Sequence, residues 1–248
     1  MKVIMTGMSK TGTKTMCSAL RILGYKVYDF EEQFWYLGPE FLKAVNEGCT
    51  TEEIREMLQD VDAVTDMPAC ILWEEILRAF PDAKLIHMER KSEDDWAKSW
   101  NKQIDAIRSN FTARCIVPLT PTGRYLRNYT NALGRAGFSL QTFYPWKQPS
   151  VNLPFCKLRY REHNSHVRLA APKGQIIYFK HSDGWEPLCK FLGVPVPSAS
   201  YPHRNKGGEI VGEIVGESVI FNHIRKELIR LFTFAMLFIG VTLFYFLY

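Results

Sequence analysis

The chain has 248 residues, 46% of them hydrophobic and 23% charged, with a formal net charge of +5. That balance supports a large core and excludes global disorder. The mild positive charge suits an anionic ligand or a membrane surface, and it lacks the dense basic stripe of a nucleic-acid binder.

In chain order, "MKVIMTG" reads as a strand (2–5) entering a loop, and it is too short for a signal peptide. Residues 14–23 have helical spacing, with Met16, Ala19, Leu20 and Leu23 on one side and Gly24 as the stop. A short strand is expected at 26–28, helices at 31–46 and 51–59, and a strand at 63–65 that ends on Asp66. A helix at 71–80 turns at Pro81-Asp82 into a strand at 84–88. Ser92, with Asp95 three residues on, has the pattern of a capping box for a helix at 92–108. Further helices are expected at 122–136, 155–170 and 184–192, a strand at 175–179, and a Pro-rich turn at 145–154. Residues 207–216 read as a glycine-rich linker. Strands alternating with helices imply an α/β fold with a parallel sheet covered on both faces. The six cysteines have no Cys-x-x-Cys and no paired histidine spacing, which argues against a zinc site or a disulfide framework.

The most informative stretch is "GMSKTGTKT", residues 7–15. It contains two glycines, two lysines and three threonines between a strand and a helix. Such a loop aims backbone N–H groups, and the positive end of the helix dipole, at an anion. A nucleotide-hydrolysing loop would place Lys and Ser or Thr directly after the second glycine. Here Thr13 intervenes, and Lys10 already lies inside the loop.

The run "SKTGT" resembles the "PKSGT" loop of the sulfotransferases. Residues 64–90, "VTDMPACILWEEILRAFPDAKLIHMER", and 184–197, "GWEPLCKFLGVPVP", resemble a sulfotransferase-like family common in fungi and invertebrates. The resemblance covers nearly all of residues 1–206. It implies a three-layer P-loop fold with a central parallel sheet, and 3′-phosphoadenosine 5′-phosphosulfate as donor. Lys10 then matches the lysine that contacts the bridging oxygen. Ser9, Thr11, Gly12, Thr13, Lys14 and Thr15 match the cradle of the 5′-phosphate. Arg90 and Ser99 match the pair that holds the 3′-phosphate, although the interval is nine residues where eight is usual. Lys206, with Arg204 and two glycines, is similar to a late segment that closes over the same phosphate.

Other assignments stay open. Arg90 either binds phosphate or pairs with Asp94. Asp66, at a strand end beside Pro68, either accepts the acceptor's proton or caps the helix that follows. Trp185 either packs on adenine or fills the core, and His87 reads as a core histidine. Tyr160, Arg161 and His163 are candidates for the acceptor side. A nucleoside triphosphate-dependent kinase or hydrolase, with "AVTD" as its acidic strand, is the rival enzyme. An inactive, membrane-tethered nucleotide binder is the non-enzymatic alternative.

From Leu231 to Tyr248 no residue is charged. About 20 such residues span a bilayer core. Arg225, Lys226 and Arg230 flank the run on one side, which predicts a domain on the cytosolic face. The expected organisation is a catalytic domain at 1–206, a linker at 207–227 and an anchor at 228–248. A tethered catalytic domain would meet small-molecule or lipid acceptors.

Overall fold

Five short apolar strands form the centre of a computed structural model that describes residues 1–138, 140, 151–202 and 218–247. They are β1 (Val3–Met5), β2 (Val27–Tyr28), β3 (Ala63–Val64), β4 (Lys84–His87) and β5 (Ile176–Tyr178). Their order is β2-β3-β1-β4-β5, and every pairing is parallel. The two-residue alternation of a strand then divides the core. Val3, Met5, Ala63 and Ile86 pack on one face of the sheet, and Ile4, Val64 and Leu85 on the other. Burial on both faces is why these strands read as continuous apolar runs.

Two helices cover the first face: α1 (Thr13–Ile22), through Met16 and Leu20, and, near the end of the domain, Trp185–Leu192, through Leu188 and Leu192. The second face carries α2 (Phe30–Asn46), α3 (Thr51–Leu58), α4 (Trp73–Ala79), α5 (Glu93–Ser109), α6 (Pro121–Phe138) and α7 (Leu153–Ala170). The helix Trp185–Leu192 is α8, and Val219–Leu247 is α9. Ser92 caps α5 by accepting a hydrogen bond from Asp95 N, as its position predicts. Most of the expected Pro-rich turn lies outside the described residues. Pro154 itself opens α7, where its missing N–H costs nothing.

α2 and α6 run antiparallel. Tyr129 meets Phe30 and Phe34, and Tyr125 meets Phe34. A Cβ at Gly38 would lie 2.4 Å from the Tyr125 hydroxyl, so glycine lets the two helices close up. α9 docks on this pair. Ser218 Oγ and the Ile220 N–H donate to Glu31, in the first turn of α2. His223 lies edge-on to Trp35 at 5.0 Å. Glu227 accepts from both N (3.1 Å) and Oγ1 (2.8 Å) of Thr122, in the first turn of α6.

This corrects the expected linker over 207–227. Its residues 219–227 are helical and packed, because Ile220 and Ile224, four apart, form a stripe that is 3% exposed. Past Arg230 the helix has no buried residue. Its 29 residues are long and apolar enough to cross a membrane.

Candidate functional site

The carboxyl ends of β1, β3 and β4 meet at one edge of the sheet, the position where open parallel sheets hold ligands. The β1–α1 loop turns there over the N-terminus of α1. Gly7 is required by close approach: a Cβ would lie 2.7 Å from Met88 O. Gly12 is required twice. Its φ is +109°, and a Cβ would lie 1.9 Å from His181 Nε2. Lys10 (φ 74°) and Asp66 (φ 64°) are in the left-handed region without being glycine. That conformation costs about 1–2 kcal/mol per residue, and the surrounding contacts must hold it.

Asp66 supplies those contacts. It is buried, and its carboxylate accepts from Ser9 Oγ, from Thr13 Oγ1 at 2.7 Å and from Met67 N at 2.8 Å. Burial pushes its pKa up, the nearby Asp29 carboxylate adds to this, and the three hydrogen bonds oppose it. Asp66 does not cap the following helix: the Ala69 N–H donates to Gln33 Oε1 instead. Thr11 Oγ1 donates to Met8 O. The hydroxyls of Ser9, Thr11 and Thr13 thus fasten the loop from within. Thr15 is also buried.

The two lysines differ. Lys14 forms an ion pair with Asp29, whose side chain is 2% exposed and also accepts from Thr65 Oγ1. Burial works against the Lys14 charge, but the Asp29 carboxylate outweighs it and raises the pKa. Lys10 is half-buried, and among the described residues no carboxylate lies within ion-pair distance of it. Burial first, and then the Arg90 charge, hold its pKa below the ordinary lysine value.

Arg90 joins the loop from β4. Its Nε donates to Lys10 O at 2.6 Å and its Nη2 to Ser99 Oγ at 3.3 Å. The structure therefore brings Arg90 and Ser99 together across the nine-residue interval. The alternative pairing with Asp94 is not made, since Asp94 binds Lys157. Behind Arg90, its N–H donates to Tyr160 Oη, Tyr160 stacks on Trp96 at 4.4 Å, and Trp96 Nε1 donates to Ser9 O. Loop, strand end and α7 are thereby braced together. The result is a helix N-terminus with Lys10 and Arg90 at its lip, an arrangement that favours a bound anion.

The remaining candidates sort clearly. Trp185 fills the core at 8% exposure, with Nε1 donating to Ala199 O. His87 is a core residue, with Nδ1 2.8 Å from Thr6 Oγ1 and Nε2 near Glu89. Arg161 pairs with Glu93, and His163 Nε2 lies 2.7 Å from Thr6 O. Lys206 lies outside the described residues. No metal-binding cluster occurs among the described residues.

Two contributors escaped the sequence reading, Asp29 and His181. Each follows a strand at the ligand-facing edge, and that placement was the available signal. His181 lies over Gly12, with Nδ1 3.1 Å from Tyr201 Oη.

A family described as a sulfotransferase domain matches residues 2–210. A protein of Aspergillus versicolor named Ava biosynthesis cluster protein M is 28% identical over 214 residues, covering 82% of this chain and 80% of its own length.

Proposed function

The chain belongs to the sulfotransferase domain family, and from that premise we propose that it moves a sulfuryl group from 3′-phosphoadenosine 5′-phosphosulfate to a hydroxyl or amine. The observation that carries this reading is the meeting of Lys10, Arg90 and Ser99 at the mouth of the β1–α1 loop. A donor with two phosphate sites needs a cation for each. The loop amides and Lys10 would serve the 5′ side, and Arg90 with Ser99 the 3′ side. Arginine suits that task because its planar fork binds phosphate through two parallel N–H bonds.

In the transfer, the acceptor oxygen forms a bond to sulfur while the bond from sulfur to the bridging oxygen breaks. The electron pair remains on the departing 5′-phosphate, and Lys10 neutralises it there. Such chemistry rests on positioning and charge stabilisation more than on covalent work by the protein. Asp66 has two candidate roles. Its three hydrogen bonds make it the brace of the loop, and its raised pKa suits it to accept the acceptor's proton. Asp66→Asn separates the roles. A proton acceptor gives activity that is lost as pH falls through the raised pKa, and the substitution removes that acid limb. A brace gives a lower melting temperature with the pH profile unchanged in shape.

A triphosphate-dependent reaction would use Lys14 on the phosphates, and Lys14 is committed to Asp29. 3′-Phosphoadenosine 5′-phosphate should therefore raise the melting temperature without magnesium. Stabilisation by ATP and magnesium in its place would overturn the assignment.

We further propose that α9 spans a bilayer with the domain on the cytosolic side, from the flank of Arg225, Lys226 and Arg230.

A further inference from the structure

We infer that the catalytic edge points away from the bilayer, so that the acceptor is a water-borne molecule and not a bilayer-resident lipid. This rests on the reading of α9 as a membrane span.

The direction of α9 is fixed by three contacts in order. It begins at Glu31, two residues after Asp29, the partner of Lys14 in the phosphate-binding loop. It then passes Trp35 and reaches Thr122 through Glu227. α9 therefore starts on the side of the domain nearer the catalytic edge, at the first turn of α2, and runs down α2 toward the opposite edge of the sheet.

α6 gives the distance. Its first turn, at Thr122, meets α9 where the docked part ends. Its last turn is at the site: a Cβ at Gly137 would lie 2.7 Å from Met67 Cε, next to Asp66, and Phe138 packs on Trp96, which holds Ser9. The stretch from Thr122 to Gly137 is about 22 Å long at the helical rise.

Beyond Glu227 the same helix continues unbroken to Leu247. The part from Leu228 onward is about 30 Å long, the thickness of a hydrocarbon core. The bilayer therefore begins just past Glu227, at the end of the domain remote from the site. A tilt of about 40°, the upper end of the usual range, still leaves the stretch from Thr122 to Gly137 with a projection of about 17 Å along the bilayer normal. A hydroxyl held at the headgroup plane does not reach Lys10, whereas a dissolved acceptor is not confined to that plane.

The test uses the full chain in phosphatidylcholine vesicles. Cys49 and Cys115, the partly accessible thiols, are replaced by serine. A bimane dye is then attached to Ser182→Cys, beside His181 at the catalytic edge, or to Lys226→Cys, at the end of the docked part. Both positions are exposed. With nitroxide on the lipid headgroups, the dye at 226 should be quenched several-fold and the dye at 182 left unchanged. Equal quenching at both positions, in protein that floats with the vesicles, would overturn the inference and leave the membrane span intact. Radiolabelled sulfate passing from the donor to a sterol or diacylglycerol doped into those vesicles would also overturn it. Protein that fails to float would overturn the span and this inference together, while nucleotide stabilisation would still report on the donor site separately.

Discussion

The lip and the floor of the β1–α1 loop are built from the same residue types and treat charge in opposite ways. At the lip, Lys10 has no carboxylate partner among the described residues, and Arg90 leans on a backbone carbonyl and a serine hydroxyl. In the floor, Lys14 is matched by Asp29, Asp66 by three donors, and His87 by Thr6 and Glu89. Charge that the fold neutralises holds the loop in place, and charge left over at the lip is available to a ligand. Activity and stability should therefore respond to different residues only a few positions apart.

The largest expected effect is Lys10→Ala. Transfer with labelled donor should fall roughly 10²–10³-fold, the usual loss when a transition-state donor is removed. The unfolding free energy should stay within about 0.5 kcal/mol of the parent. A large drop in stability with activity retained would dissolve the distinction between lip and floor.

A pH titration addresses the floor. Burial lowers the pKa of His87 from 6.5 to about 4, against the opposing pull of Glu89. Between those values the unfolded chain binds a proton that the folded chain does not. Its contribution is therefore present above pH 6.5 and lost as pH falls toward 4. The loss should approach about 3 kcal/mol in urea unfolding curves, and His87→Gln should flatten it.

Lys14→Ala leaves Asp29 buried and unpaired. Discounted for the partial exposure of the lysine, the cost should be about 2 kcal/mol, read as a shifted denaturation midpoint. The smallest effect sharpens the lip. Arg90→Lys keeps the charge and loses the fork, so calorimetry should find the nucleotide bound about tenfold more weakly with stability unchanged.

Much of this was legible in the sequence because it is periodic or local. The strand runs around Ile4 and Leu85, the stripe of Met16 and Leu20, and the Ser92 cap all appear where their patterns predict. The nine-residue step from Arg90 to Ser99 was the harder feature. Spacing counts residues, whereas a long guanidinium reaches across a turn. The Lys14–Asp29 pair was hidden for another reason. Lys14 lies in the first turn of α1 and Asp29 just before α2, and these two helix starts, on opposite faces of the sheet, meet only at its carboxyl edge. His181 over Gly12 needs the same long-range closure, since β5 joins the sheet on the far side of β4.

The bond from Glu227 to Thr122 has a practical corollary for producing this protein. The family match stops at residue 210, yet Ile220 and Ile224 are as well buried as many core residues, and Glu227 secures the start of α6. A truncation at the edge of the match would strip two turns of helix from α2 and α6, uncover their apolar sides and invite aggregation. Ending the chain just after Glu227 removes the greasy segment and keeps the clasp, so crystallisation trials should begin from that cut.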